Sequence, residues 1–235
     1  MRVAPVVLIV LALLGAGCSS NTPAADGPPT TPTPAATPTP KPTPKVVGRV
    51  LPVKITGPGQ QPLQQADTIG QADRDAAMPP SRQIMFNMID QTDAVAGYKA
   101  AGSVECPGDG PVIQPDAQTQ CSVRYRNLKV RWIVRIDSNS DRTGRWVIYF
   151  LSPLDAVLLR KAVYNRFWTE FHTKGTELRC GQLPEIQRVK VYVDTKNRCQ
   201  YLPPADSDGV RQWQDVKVWV GDSGVRVDYS GPPAQ

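Results

Sequence analysis

The sequence predicts an α+β fold built of two tandem units, each a helix followed by an antiparallel sheet and closed by one disulfide, after a disordered Pro/Thr tether. Three observations predict this fold. A helical pattern is followed by short strands in which apolar and polar residues alternate. The same order of elements recurs further along the chain, and each of the two sets of elements contains two cysteines. Once the N-terminal signal and the tether are set aside, about 190 residues remain, which suits one or two domains.

Residues 1–17 are predicted to be a lipoprotein signal peptide. Arg2 supplies a positive charge, the next twelve residues are almost all apolar, and small residues precede Cys18. These small residues resemble the lipobox of bacterial lipoproteins, although Gly15 stands where such boxes usually carry Leu. The resemblance implies that Cys18 is acylated and becomes the new N-terminus. The alternative is an ordinary secretion signal in which Cys18 is incidental.

Residues 18–45, from the lipidated Cys18 through a segment rich in Pro and Thr, are predicted to form a disordered tether. Proline at nearly every second position favours an extended polyproline conformation, and there is too little apolar surface to offset the entropy of the chain. We therefore expect the protein at the extracytoplasmic face of the cell membrane, held there by its lipid anchor. No later apolar run approaches the ~20 residues that span a bilayer.

Four further cysteines are expected to form disulfides, because an exported chain meets an oxidising compartment. The favoured pairing joins Cys106 to Cys121 and Cys180 to Cys199, since each of these pairs has the same structural context. A zinc site is the competing reading. It is disfavoured because the spacings are far from C-x-x-C and the chain has one histidine, so we expect no metal and no cofactor.

The first α+β unit is predicted at residues 81–152, after an extended or irregular lead-in at 46–80. Its elements are a helix over Ser81–Tyr98, a strand over Leu128–Ile136 and a strand over Trp146–Phe150. The middle strand alternates strictly between apolar and polar residues, which is typical of a half-buried antiparallel strand.

The second unit is predicted at residues 153–231 and repeats this order. A helix runs from Pro153 to His172, and strands follow at Val189–Val193, Val216–Val220 and Val225–Tyr229. The first cysteines of the two units are 74 residues apart and the second cysteines 78 residues apart. The growing offset indicates loop insertions in the second copy.

The cysteine framework of the first unit resembles a known family. A helix, then Val104-Glu105-Cys106-Pro107, then Pro111-Val112 before a second cysteine, is similar to a small two-cysteine lipoprotein domain of unknown function from high-GC Gram-positive bacteria. The resemblance covers Ser81 to Phe150 and is looser in the second copy, where Gly181 stands in place of the proline. It implies an α+β fold at the cell surface and brings no established activity.

One face of the first sheet is predicted to be cationic, with no carboxylate interleaved until Asp137. If the strands are neighbours, this face carries Arg124, Arg126, Lys129, Arg131, Arg135 and Arg145. Such a face suits an anionic partner, either an envelope polymer or an acidic protein. The alternative is a solvated face whose charges discourage edge pairing.

An aromatic surface is predicted in the second unit. Trp219 points away from the apolar face of its strand, and Tyr192 lies on the outward side of Val189–Val193. Exposed aromatic residues beside cations are typical of a partner surface. The alternative is that other parts of the chain cover them.

The predicted function is a lipid-anchored cell-surface binding module or an envelope-structural module without catalytic activity. The only histidine, His172, is predicted at a helix end, and no G-x-S-x-G element is present, so a nucleophilic hydrolase lacks its usual parts. Nucleic acid is excluded as a partner by the compartment. The globular part is also only weakly basic, with 24 Lys and Arg against 20 Asp and Glu.

Two alternative functions remain. One is a proteinaceous inhibitor, because tandem α+β repeats with one disulfide each resemble the secreted inhibitors of β-lactamases, although the Gly-Met-Thr signature of those proteins is missing. The other is a small-ligand or lipid-binding lipoprotein, which requires a cavity between the two sheets. Beyond the membrane anchor, the sequence does not predict an oligomeric state.

Overall fold

The computed structural model describes residues 43–59, 78–142, 146–231 and 233. The predicted signal peptide, Cys18 and most of the predicted tether lie outside these residues, as does Arg145. The strands and helices, in chain order, are β1 (Lys45–Val47), β2 (Val53–Ile55), α1 (Pro80–Ala96), β3 (Ala101–Glu105), β4 (Gln118–Tyr125), β5 (Leu128–Ile136), β6 (Tyr149–Pro153), β7 (Asp155–Leu159), α2 (Arg160–Phe171), β8 (Glu177–Cys180), β9 (Ile186–Lys190), β10 (Arg198–Leu202), β11 (Val210–Gln212), β12 (Gln214–Gly221) and β13 (Gly224–Asp228).

The described part of the chain is a mixed helix and sheet structure, mostly sheet, with two helices and two disulfides. The first sheet has four antiparallel strands in the order β3-β4-β5-β6. The second sheet has five strands in the order β13-β12-β10-β8-β2. Two smaller pairs complete the structure, with β7 beside β9 and β1 parallel to β11.

A proline and a glycine mark the two ends of helix α1. Pro80 occupies the first turn, where its missing N–H is not needed and its fixed φ suits the helix. The helix ends at Gly97, which adopts φ 77°, and the Gly97 N–H donates to the Asp93 carbonyl at 2.8 Å. A residue without a Cβ adopts this left-handed conformation most readily. The predicted helix over Ser81–Tyr98 is therefore found within two residues at either end.

The period-2 pattern of the first sheet is confirmed. Strand β5 covers the predicted Leu128–Ile136, and Val130, Trp132 and Val134 are all about 1 % exposed. These side chains face α1, and the Trp132 indole N–H donates to Thr92 Oγ1 at 3.1 Å. The next strand is shifted from the prediction: β6 begins at Tyr149, three residues after the predicted start.

The predicted second helix is wrong over its first part. Helix α2 begins at Arg160, and the residues before it form β7, in which all five residues are buried. A strand that is buried on both faces is a continuous apolar run, which periodicity does not distinguish from a buried helix. The predicted strand Val189–Val193 is likewise displaced, because β9 ends at Lys190.

Strand β7 lies between two buried clusters. The first core surrounds Trp132 and includes Val157 and Leu159 from β7. The second core surrounds Phe167 and includes Ala156 and Leu158 from β7. Alternate side chains of one strand thus enter two cores, and the described chain from residue 43 onwards packs as one compact unit. Each fully buried aliphatic side chain contributes about 1.5–3 kcal/mol to this packing.

Both expected disulfides are present. Cys106 is bonded to Cys121, and Cys180 to Cys199, with sequence separations of 15 and 19. In the second pair the two cysteines lie directly opposite each other on β8 and β10. In the first pair Cys106 directly follows β3 and is bonded to Cys121 of β4, so each disulfide lies at the first strand pair of the meander that follows its helix.

The lead-in before α1 contributes two short strands. Val53–Ile55 is β2, which pairs with β8 at one edge of the second sheet, and Ile55 is buried in the second core. Within the described ranges, neither helix is both long and apolar enough to span a membrane.

Candidate functional site

The predicted cationic face carries carboxylates that the sequence pattern did not reveal. Glu105 of β3 receives hydrogen bonds from Lys129 Nζ at 2.6 Å and from Arg124 Nη2 at 2.9 Å. These two cations lower the pKa of the Glu105 carboxyl, Lys129 having the larger effect. Two of the predicted cations therefore share one carboxylate on the same sheet, which offsets half of their charge.

Arg131 forms an ion pair with a carboxylate that is more deeply buried, that of Asp155. Its Nε donates to Asp155 Oδ2 at 2.6 Å and its Nη2 to Asp155 Oδ1 at 3.1 Å, while Lys190 Nζ lies 3.0 Å from the same carboxylate. Asp155 is 2 % exposed. Burial opposes its ionisation, but the hydrogen bonds from Arg131 and Lys190 outweigh that effect and hold the pKa of Asp155 below its usual value. Arg131 is thus a structural cation.

The remaining predicted cations are dispersed. Arg126 Nη1 lies 3.3 Å from Glu185 Oε1, at the rim of a depression that Arg160 and Lys161 also line. Arg135 is exposed and lies over the Phe150 ring, 5.7 Å from its centroid. Arg145 lies outside the described residues. The expectation that no carboxylate interrupts this face is wrong, because Glu105, Asp155 and Glu185 reach it from other segments of the chain.

The two residues of the predicted aromatic surface do come together. The rings of Tyr192 and Trp219 lie 6.1 Å apart, and the Trp219 indole donates to Asp228 Oδ2 at 2.9 Å. Both side chains are half-buried. A Cβ on Gly221 would lie 3.1 Å from the Trp219 ring and 3.4 Å from the Tyr192 ring, so a larger residue there would push against both rings.

Tyr192 is held in an uncommon backbone conformation. Its φ is 58°, and its N–H donates to the Val220 carbonyl at 2.8 Å. A hydrogen bond between its hydroxyl and the Asp222 carboxylate, followed by burial, raises the pKa of Tyr192. A bulky residue at positive φ is uncommon and needs its surroundings to hold it in place. The Tyr192 side chain is therefore fixed beside Asp222.

Tyr192 and Asp222 form one wall of an open cleft of about 590 Å³. Helix α1 forms another wall through Gln91, Ala94 and Val95, and the end of β6 forms the third through residues 151–153. The volume falls within the range of clefts that bind small molecules or peptide side chains. The cleft brings together polar groups from three separate parts of the chain.

An apolar stripe lies on the outer face near the same sheet edge. Trp146, Ile148 and Phe150 alternate along the chain and are 52 %, 43 % and 47 % exposed. The intervening Val147 and Tyr149 pack against the first core. Ser152 continues this alternation of exposed residues and also lines the cleft, beside the half-buried Leu151 and Pro153.

The single histidine lies at the end of α2 and away from the cleft lining. His172 is exposed, and its Nδ1 is 2.8 Å from the Trp168 carbonyl oxygen. In the parts of the chain that the structure describes, no group of three or more His, Cys, Asp and Glu side chains is arranged to hold a metal ion.

Sequence reasoning found Tyr192 but missed the other cleft residues. Gln91 belongs to a helix, Ser152 to a strand and Asp222 to a tight turn, and none has a distinctive local pattern. The one available signal was the Gly221-Asp222-Ser223-Gly224 turn directly after the strand that carries Trp219. Comparisons with protein-family models, curated proteins and solved structures gave no match to this chain.

Proposed function

We propose that this chain is a lipid-anchored, non-catalytic binding module at the extracytoplasmic face of the cell membrane, and that it binds its partner in the cleft beside Tyr192 and Asp222. The cleft carries this proposal. It combines an aromatic side chain held at positive φ, an exposed carboxylate and half-buried apolar side chains of β6, which are features of binding surfaces.

The proposed location at the cell membrane follows from the N-terminal residues. Cys18 after small residues, and a Pro/Thr tether before β1, suit a module held at a distance from the membrane. The two disulfides support an oxidising compartment. The proposed lack of catalysis is supported by the exposed position of the only histidine, which hydrogen-bonds to a main-chain carbonyl.

We also propose that the fold arose as two tandem copies of the two-cysteine lipoprotein domain. In support, each helix is followed by four antiparallel strands in meander order, β3-β4-β5-β6 and β8-β10-β12-β13. In each meander a disulfide lies at the first strand pair, between β8 and β10 in the second and between Cys106, the residue after β3, and β4 in the first. The second copy also contains three strands outside this sheet: β7 and β9 pair with each other, and β11 pairs with β1.

A first experiment tests the anchor. Cys18→Ala should move the protein from the membrane fraction into the medium, because acyl chains no longer hold it. Labelling with a clickable fatty acid should disappear in the same variant. Retention of the variant in the membrane fraction would contradict the anchor.

A second experiment tests the cleft. A photo-crosslinking amino acid at Gln91 or Ser152, both exposed in the cleft lining, should capture a partner on intact cells. The same amino acid at Asp109, on an exposed loop outside the lining, is the matched control. Capture that is equal at all three positions, or absent from both cleft positions, would contradict the proposed binding site.

The predicted anionic partner is kept as a second, weaker proposal for the outer face of the first sheet. Arg135 supports it, because this exposed cation has no carboxylate partner among the described residues. Binding to anionic vesicles at low salt that is lost in Arg135→Ser would support it, whereas no binding by the wild type would remove it.

A further inference from the structure

The outer edge of β6 presents main-chain groups that point away from the sheet. The Asp137 N–H donates to the Ile148 carbonyl and the Leu154 N–H to the Arg131 carbonyl, both at 2.9 Å. In an antiparallel ladder the direction of the main-chain groups alternates from residue to residue. Those of Tyr149, Leu151 and Pro153 therefore point away from β5, and β6 pairs with no other strand among the described residues.

This edge borders the cleft. Leu151 and Pro153 both line it, facing α1 on one side and the pair Tyr192 and Asp222 on another. An added strand lies about 4.8 Å from its neighbour, so an extended segment beside β6 would occupy the cleft. The edge offers two N–H donors and three carbonyl acceptors, since Pro153 has no N–H.

The charge of the cleft indicates what kind of segment fits. Asp222 is an exposed carboxylate in the lining, and no Lys or Arg is among the described lining residues. The charge of Arg226 acts on Tyr192 from outside the lining, where its guanidinium donates to Ser223 Oγ. Asp222 lies beside Tyr192 in the lining, and its carboxylate raises the pKa of the Tyr192 hydroxyl. A segment with a Lys or Arg side chain at this position would complement the negative charge.

We propose that the cleft binds an extended segment of a partner protein, which adds to β6 as an extra strand and places a basic side chain against Asp222. Strand addition to an exposed sheet edge obtains affinity from main-chain hydrogen bonds and specificity from alternate side chains. This inference rests on the proposed function, because it names the class of partner for the same cleft.

The test uses the full-length chain in detergent and a displayed library of random nonapeptides. Enriched peptides should carry Lys or Arg. Replacing that residue with Gln should weaken binding to the wild type roughly tenfold but leave binding to Asp222→Asn within about twofold. Asp109→Asn is the control and should behave as the wild type. A library that yields no binder, or binders that are indifferent to Asp222, would overturn the inference.

An N-methyl scan of an enriched peptide tests strand addition without altering the protein. Each methyl group removes one donor, and in an extended strand only alternate amides face β6. Alternate positions should weaken binding about fivefold to tenfold, and the intervening positions less than about twofold. A scan without alternation would overturn strand addition.

Leu151→Pro is the matching change in the protein, because the Leu151 N–H points away from β5 and a proline there removes one donor from the free edge. The variant should bind the peptide about fivefold more weakly, and its Tm should fall somewhat because Leu151 packs against the first core. If it unfolds, the N-methyl scan still decides.

The crosslinks on intact cells separate the two proposals. Capture of a peptide at Ser152 supports binding in the cleft. It supports strand addition as well only if the enriched synthetic peptide shows alternation in its N-methyl scan. Capture of only a glycan, a lipid or a second copy of this chain would overturn strand addition by a partner protein and leave the binding function standing. No capture in the cleft would overturn both.

Discussion

Arg131 of β5 and Asp155 of β7 form a two-point ion pair, with distances of 2.6 and 3.1 Å between nitrogen and oxygen atoms. The carboxylate is almost completely buried, whereas the side chain of Arg131 is 37 % exposed. The pair joins the first sheet to the strand that lies between the two cores. Its energetic role therefore differs from that of the exposed cations nearby.

Arg131→Ser is expected to lower the free energy of unfolding, because it removes two hydrogen bonds to a buried carboxylate. The loss is moderate because Lys190 still lies beside Asp155 and because Arg131 is partly screened by solvent. Urea denaturation measures it. Arg135→Ser, which removes a cation from the same strand, should change stability by less than about 0.5 kcal/mol. Equal effects of the two changes would contradict a structural role for the pair.

The Asp155 pair also predicts a pH dependence. The pKa of Asp155 is lowered in the folded state, so its stabilising contribution is present above the unfolded value of about 3.9 and is lost as pH falls through the folded pKa. Asp155→Asn removes this contribution. The difference in unfolding free energy between the wild type and Asp155→Asn should therefore shrink between about pH 5 and pH 3. An unchanged or growing difference over that range would contradict the assignment, and Asp109→Asn on an exposed loop is the control.

The two disulfides are expected to differ in importance. Closing loops of this length contributes roughly 3 kcal/mol in each case. Cys180 and Cys199 are both fully buried in the second core, whereas Cys106 is partly exposed. Replacing Cys180 and Cys199 with Ser should thus cost more than the same change at Cys106 and Cys121, since it also buries two hydroxyl groups. Denaturant unfolding of the two double variants ranks them, and the reverse order would count against this account.

Gly224 is expected to be needed for contact between α1 and the hairpin of β12 and β13. Its φ is 99°, and a Cβ there would lie 3.0 Å from the Val95 carbonyl oxygen. Gly209 also has a positive φ, of 73°, but no atom lies within 4 Å of a Cβ built there. A substitution at Gly209 therefore measures the backbone strain without a steric contact. Gly209→Ala should cost about 1 kcal/mol, and Gly224→Ala at least about 1 kcal/mol more. Thermal unfolding compares the stabilities of the two variants. Similar losses of stability would show that the Val95 main chain moves aside at little cost.

Local patterns in the sequence predicted those elements whose residues carry the signal themselves. The strict alternation over Leu128–Ile136 identified β5 to the residue, and Pro80 and Gly97 bracket α1 as proline and glycine usually do. The alternation of Val216, Val218 and Val220 placed all three in the core. The disulfide pairing followed from the shared context of the four cysteines.

The candidate site was predicted only in part. Tyr192 and Trp219 were singled out and do lie together, but the cleft also needs Gln91, Ser152 and Asp222, which no pattern connects. Likewise the cations on β4 and β5 were visible in the sequence, whereas the carboxylates that pair with them come from other segments.

The sequence by itself determined the alternation of β5, the limits of α1 and the cysteines available for pairing, because each depends on residues that are close along the chain. Only the tertiary structure decided that residues 155–159 form a strand. Their apolar run satisfies either a helix or a strand until Ala156 and Leu158 find one core and Val157 and Leu159 the other. The same holds for Asp155, whose two cationic partners, Arg131 and Lys190, lie on separate strands. Burial and charge pairing between distant segments are properties of the packed chain. They decided both the position of β7 between the two cores and the shape of the cleft.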